Sequence, residues 1–171
     1  MKKAARDTPI NEIELSENVN WIAGNLNLLA QNYRKAPYFA QVMPAVEALY
    51  RSPGRLLADF NLRSIGMLMD LLDVRVPWML SSSLEPRSQK NELLIDLLGK
   101  VGATHYLSGT GARDYMAPDM FQAAGIEVCW QDFSHPVYPQ QFGEFVPYLS
   151  ALDALFNCGV QGARELIRRS T

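Results

Sequence analysis

At 171 residues the chain is long enough for one domain with its own core, and 48% hydrophobic against 20% charged residues is the balance of an ordinary globular protein. A formal net charge of −2 provides no broad basic surface. That argues against nucleic acid or an anionic membrane as the main partner, while allowing a local basic pocket. No apolar run approaches the length of a transmembrane helix.

The start, Met1-Lys2-Lys3-Ala4-Ala5-Arg6, has the charge of a signal peptide, but Asp7, Thr8, Pro9 and Asn11 interrupt any apolar region behind it. The expected location is therefore the cytoplasm. Residues 10–15 alternate loosely and suggest an edge strand. Asn18 or Asn20 can cap a first helix, with Ile22, Leu26, Leu29 and Tyr33 at helical spacing and Lys35-Ala36-Pro37 ending it. A second helix carries Phe39, Val42, Val46 and Leu49 on one face, with Pro44 starting a turn or bending it. Ser52-Pro53-Gly54 breaks the chain there.

Residues 56–72 form the best-patterned helix, through Leu62, Ile65, Leu68 or Met69, and Leu72. Residues 74–81 read as a buried strand blemished by Pro77. Ser88 caps a helix carrying Leu94, Leu97, Leu98 and Val101, which ends near Gly99–Gly102. A strand over 104–107 runs into a glycine loop, Pro118 opens a short helix stopped by Gly125, and 126–130 is another strand. Ser150 to Asp153 is a near capping box, Gly159 a stop, and a polar helix over 160–169 ends the chain. Alternating strands and helices predict an α/β fold: a three-layer, mostly parallel, Rossmann-like sheet with flanking helices and a helical N-terminal part, in one domain over 1–171.

Two stretches carry candidate chemistry. In Ser108-Gly109-Thr110-Gly111-Ala112-Arg113, a glycine turn at a strand's carboxyl end exposes backbone N–H groups to an anion, and Arg113 adds a planar fork for phosphate or carboxylate. Such turns lie where open α/β sheets bind ligands. The pattern is neither a Walker loop nor GxGxxG. The competing reading is a tight turn with Arg113 paired to Asp114 or Asp119. Tyr115 closes the stretch, and Ser82, after the preceding strand, is expected on the same rim, as a ligand contact or a turn hydroxyl.

The second stretch is Trp130-Gln131-Asp132-Phe133-Ser134-His135-Pro136-Val137-Tyr138-Pro139. A histidine can shuttle protons, and Asp132 or Asp114 could orient His135 for that role; aromatics such as Tyr138 can cover a sugar ring or base. Equally, His135 can be a hydrogen-bonded loop residue and the aromatics can simply pack. His105 reads as structural, and Cys129 as a buried, inert thiol. Cys129 and Cys158 lack CxxC spacing, and a metal site from Cys129, Asp132 and His135 matches no standard ligand set, so no metal is expected. No cofactor is identified.

Several phrases form a set: Lys35-Ala36-Pro37-Tyr38-Phe39, Gly102 to Gly109, Gly111-Ala112-Arg113-Asp114-Tyr115, Gly125-Ile126-Glu127-Val128, Trp130 to Gln140, Gly143 to Ser150, and Phe156-Asn157-Cys158-Gly159. Over nearly the whole chain they resemble the WbqC-like family of bacterial proteins. Members usually begin with a segment containing a His-Gln-Pro-Asn-like motif and a Leu-Pro-Trp, absent here, so the resemblance implies an N-terminally shortened chain. A missing central strand would favour pairing between chains, a homo-oligomer. The family's name comes from O-antigen gene clusters. The resemblance thus implies a transferase acting on an activated, phosphate-bearing sugar or related metabolite. Ser82, Ser108, Gly109, Thr110, Gly111, Arg113, Tyr115 and Tyr138 would bind that phosphate- or carboxylate-bearing substrate, with His135 and Asp132 catalytic. The alternative is a non-catalytic binding or assembly module.

Overall fold

A computed structural model describes residues 5–18 and 20–169. In chain order the elements are α1 (Asn20–Tyr33), α2 (Phe39–Arg51), α3 (Leu57–Leu72), α4 (Lys90–Lys100), β1 (His105–Ser108), α5 (Pro118–Ala123), β2 (Glu127–Trp130) and α6 (Ala151–Arg169). Short 3-10 turns lie at Ile10–Glu12, Ser81–Leu84 and Thr110–Ala112. The chain folds as two compact units, one from Met1–Arg75 with His135–Thr171 and one from Val76–Ser134.

The larger unit is helical. Its core joins Ala36 and α2 residues Val42, Met43 and Val46 to α6 residues Leu155, Phe156 and Ala163, all buried. Phe156 is fully buried and stacks between Tyr33 (4.7 Å, 23°) and Phe39 (5.7 Å, 25°). Aromatic pairs of this kind add to the area term that drives burial. Asn18 Oδ1 accepts the Asn20 N–H at 3.0 Å at the start of α1. Pro44 sits inside α2 on its exposed side. The expected edge strand near residue 10 is reduced to an isolated antiparallel bridge, Glu14 to Leu56.

Gly159 stops one helix and starts another without a loop. Its φ of 72° and ψ of 175° break α6 into two segments. The groups freed at the break find partners: Tyr38 N–H donates to the Phe156 carbonyl at 3.1 Å, and Gln41 Oε1 accepts the Val160 N–H at 3.2 Å. An added Cβ at Gly159 would lie 2.6 Å from Tyr38 Cδ1, so close approach and backbone geometry both demand glycine.

In the smaller unit, β1 and β2 pair in parallel, with His105 opposite Glu127 and Ser108 opposite Trp130. Ala112, Met116, Phe121 and Ile126 form its core, and Tyr106 stacks on Phe121 at 5.8 Å. The strand–loop–helix–strand order is therefore as expected, but the broad three-layer sheet is not. The described residues contain one two-stranded sheet. The strand expected over 74–81 is absent: 74–80 pairs with no neighbour, and Ser81 begins a 3-10 turn. Pro77 has no N–H to give a ladder, while Arg75 is drawn aside to Asp70 (2.9 Å) and Asp73 (3.2 Å). Val76, Trp78, Met79 and Leu80 are left exposed. Nor does Ser88 cap α4, which begins at Lys90 with Gln89 in the capping position and no side-chain bond. No described helix is long and apolar enough to cross a membrane.

Candidate functional site

β1 ends at Ser108, which is buried, and the chain turns at once through Gly109 into Thr110–Ala112. The Ala112 and Arg113 N–H groups donate to the Gly109 and Thr110 carbonyls (3.1 and 3.2 Å), which leaves the amides of Thr110 and Gly111 outside these turn bonds. Gly109 takes φ −68°, open to any residue, and an added Cβ at Gly109 or Gly111 would meet nothing within 4 Å. What the glycines provide here is bare backbone that a ligand can reach. A cleft of about 360 Å³ lies against it, lined by Tyr106, Ser108, Gly109, Gly111 and Tyr115 among others. That size falls within the range of small-molecule pockets.

Four of the expected ligand residues thus share one cleft: Ser108, Gly109, Gly111 and Tyr115. Thr110 and Arg113 flank it in sequence. Arg113 is exposed, with its guanidinium carbon 5.1 Å from the centre of the Trp130 ring. Among the described residues it makes no ion pair with Asp114 or Asp119. Stacking on indole orients a guanidinium without consuming its N–H donors. Ser82 is exposed in the 81–84 turn, where its carbonyl accepts the Glu85 N–H at 3.3 Å. Asp132 is also exposed.

A wider depression of about 620 Å³ in the same unit is lined by Thr104, His105, Gln122, Glu127 and Trp130, among others. His105, expected to be structural, is exposed there, with Nε2 3.5 Å from Glu127.

In the larger unit, His135 is half-buried and meets the ring of Tyr148 edge-on, centroids 4.3 Å apart. Tyr148 has φ 64°, a left-handed conformation uncommon for a bulky residue and of the kind that clusters at functional sites. Tyr138 is drawn into a network absent from the sequence reading. Its hydroxyl donates to Asp153 Oδ2 at 2.9 Å, Gln140 Nε2 donates to the same oxygen at 3.0 Å, and the Tyr33 hydroxyl donates to Oδ1 at 2.9 Å. Burial first, and then the Asp153 carboxylate, push Tyr33 up to about 12; burial likewise leads in raising Tyr138 to about 12. Asp153 was legible only as part of a capping box, and Ser150 does cap: its Oγ accepts the Leu152 N–H at 3.3 Å. The available signal was an aspartate embedded among Leu152, Ala154, Leu155 and Phe156. Among the described residues no three His, Cys, Asp or Glu side chains gather as a metal ion would need.

The uncharacterized protein Rv1507c of Mycobacterium tuberculosis is 30% identical over 149 residues, which cover 86% of this chain. The chain spans 64% of that relative's length. No solved structure matches. The sequence model of the WbqC-like protein family matches residues 1–165, and the chain belongs to that family.

Proposed function

We propose that the protein is a transferase acting on an activated, phosphate-bearing sugar or related metabolite in the synthesis of bacterial surface polysaccharide, the O-antigen. The observation that carries this reading is the cleft at the carboxyl end of β1, lined by Ser108, Gly109 and Gly111, with Arg113 nearby in sequence and free of acidic partners among the described residues. Oriented amides and a guanidinium suit a phosphate, and Tyr115 supplies an aromatic wall. Ser82 completes the substrate contacts in this reading, and His135, half-buried in the larger unit, is the proton-transfer group.

The test is a thermal melt of the chain with nucleotides, nucleotide-sugars and sugar phosphates, beside Arg113→Ala and His135→Ala. A ligand at a hundredfold excess over its Kd stabilises by roughly 2.7 kcal/mol. Arg113→Ala should lose that shift, whereas His135→Ala should keep it and lose turnover. If both variants bind and turn over like the parent, the assignment is wrong.

A second reading, a binding or assembly module without catalysis, is favoured by Asp132, which is exposed and makes no hydrogen bond or ion pair among the described residues. Binding without turnover in every candidate mixture would support it.

A further inference from the structure

The larger unit holds a cavity of its own, of about 300 Å³, lined by Asn32 and Tyr33, by Gln140, Gln141 and Phe142, and by Asp153, among others. Asp153 is only 4% exposed. A carboxylate so buried must be satisfied by hydrogen bonds. Three donors meet it, the two phenols and the Gln140 amide described above, and all are neutral. No Lys, Arg or His pairs with it among the described residues.

A carboxylate offers about four lone-pair positions. Two donors occupy Oδ2 and one occupies Oδ1, so one position remains on Oδ1. The frame around it is fixed: Gln140 Nε2 also donates to the Val146 carbonyl at 3.1 Å, and the Val146 N–H returns to Gln140 Oε1 at 2.8 Å. Tying α1, the 138–146 segment and α6 together needs acceptor oxygens; it does not need a net negative charge. The first turn of α6 favours an acidic side chain there, and among the described residues no cationic side chain pairs with it. The outer wall is apolar, with Phe142 71%, Val146 51% and Leu149 46% exposed.

We propose that this cavity binds a small molecule bearing a protonated primary amine on a ring or similarly compact body. The ammonium takes the open position on Asp153, and the body lies against Phe142 and Leu149. A desolvated carboxylate rewards a cation far more than a neutral hydroxyl, while aromatic faces attract cations as well. The same charge repels phosphate, so the proposal concerns a different ligand class and is argued from the larger unit's own residues.

The test uses the full chain and matched pairs: benzylamine beside benzyl alcohol, and glucosamine beside glucose. Binding is followed by NMR chemical-shift changes up to concentrations that saturate millimolar ligands. At least one amine should bind tenfold or more tightly than its neutral partner, and Asp153→Asn should abolish the preference. Because Asp153 is buried, a second variant guards against misfolding. Leu149→Lys places a competing ammonium on an exposed wall and should weaken amine binding about tenfold, with the melt unchanged. Equal binding of amine and neutral partner, no binding by either amine, or undiminished binding in Leu149→Lys would overturn the proposal.

Discussion

Gly159→Ala tests the packing of the larger unit most directly. Two independent costs meet at that position. The backbone at φ 72° and ψ 175° is essentially reserved for glycine, and holding an alanine there costs about 1–3 kcal/mol. The new Cβ would also sit 2.6, 2.8 and 2.9 Å from Tyr38 Cδ1, Cε1 and Cγ. Overpacking of this kind costs about 1–3 kcal/mol. The Tyr38 backbone is held by its N–H bond to the Phe156 carbonyl, so relief has to come from turning the ring out of its rotamer. Together the terms give about 2–6 kcal/mol. Urea unfolding followed by circular dichroism should show the midpoint falling at unchanged slope. Adding Tyr38→Ala should recover the steric share, since an alanine side chain has no ring to clash. Gly111→Ala is the control: it meets nothing within 4 Å and should change stability by less than about 0.5 kcal/mol. A cost below about 1 kcal/mol for Gly159→Ala, or no recovery with Tyr38→Ala, would refute the reasoning.

Phe156→Ala removes a ring that stacks on Tyr33 and Phe39 and should cost about 3–5 kcal/mol in the same assay. Tyr33 and Tyr138, raised to about 12 from 10, stay protonated in the folded chain after the unfolded chain has released its protons. Their contribution is full below pH 10 and is lost as pH rises to 12, so Tm should fall across that window; the double variant Tyr33→Phe, Tyr138→Phe should show a flatter decline. Cys158 is pushed up by burial and then by the charge of Asp153, so a Cys129→Ser variant should react with a thiol reagent much more slowly folded than in denaturant. Arg113 is exposed, so Arg113→Ala should leave Tm without ligand unchanged while eliminating the ligand-induced shift.

The helical face of this protein was legible because apolar spacing and packing agree. Val42 and Val46 in α2 point to the core that their periodicity implied. The glycine turn, too, falls where the strand signal ended. The missing strand over 74–80 shows where pattern fails: an apolar run states that residues favour burial, but not that a neighbouring strand exists to receive its N–H groups. Pro77 was the local warning. The Asp153 network was illegible for another reason. Its donors, Tyr33, Tyr138 and Gln140, come from segments as much as 120 residues away from it, and no spacing rule connects them. A single acidic residue at a helix start looks the same whether solvated or buried.

The larger unit is built from both ends of the sequence, with the smaller one spliced between. During synthesis the chain is delivered in order, and α6 follows every other described element. The smaller unit has all its own parts once residue 134 has emerged. The core around Val42, Met43 and Val46 has its α1 and α3 neighbours early, such as Leu29 and Leu68, but must wait for Leu155 and Phe156 to be closed, so a nascent chain carries a partly covered apolar face through the intervening stretch. Vectorial delivery therefore lets the insert close before the core of the larger unit is complete, because that core's last wall is made last.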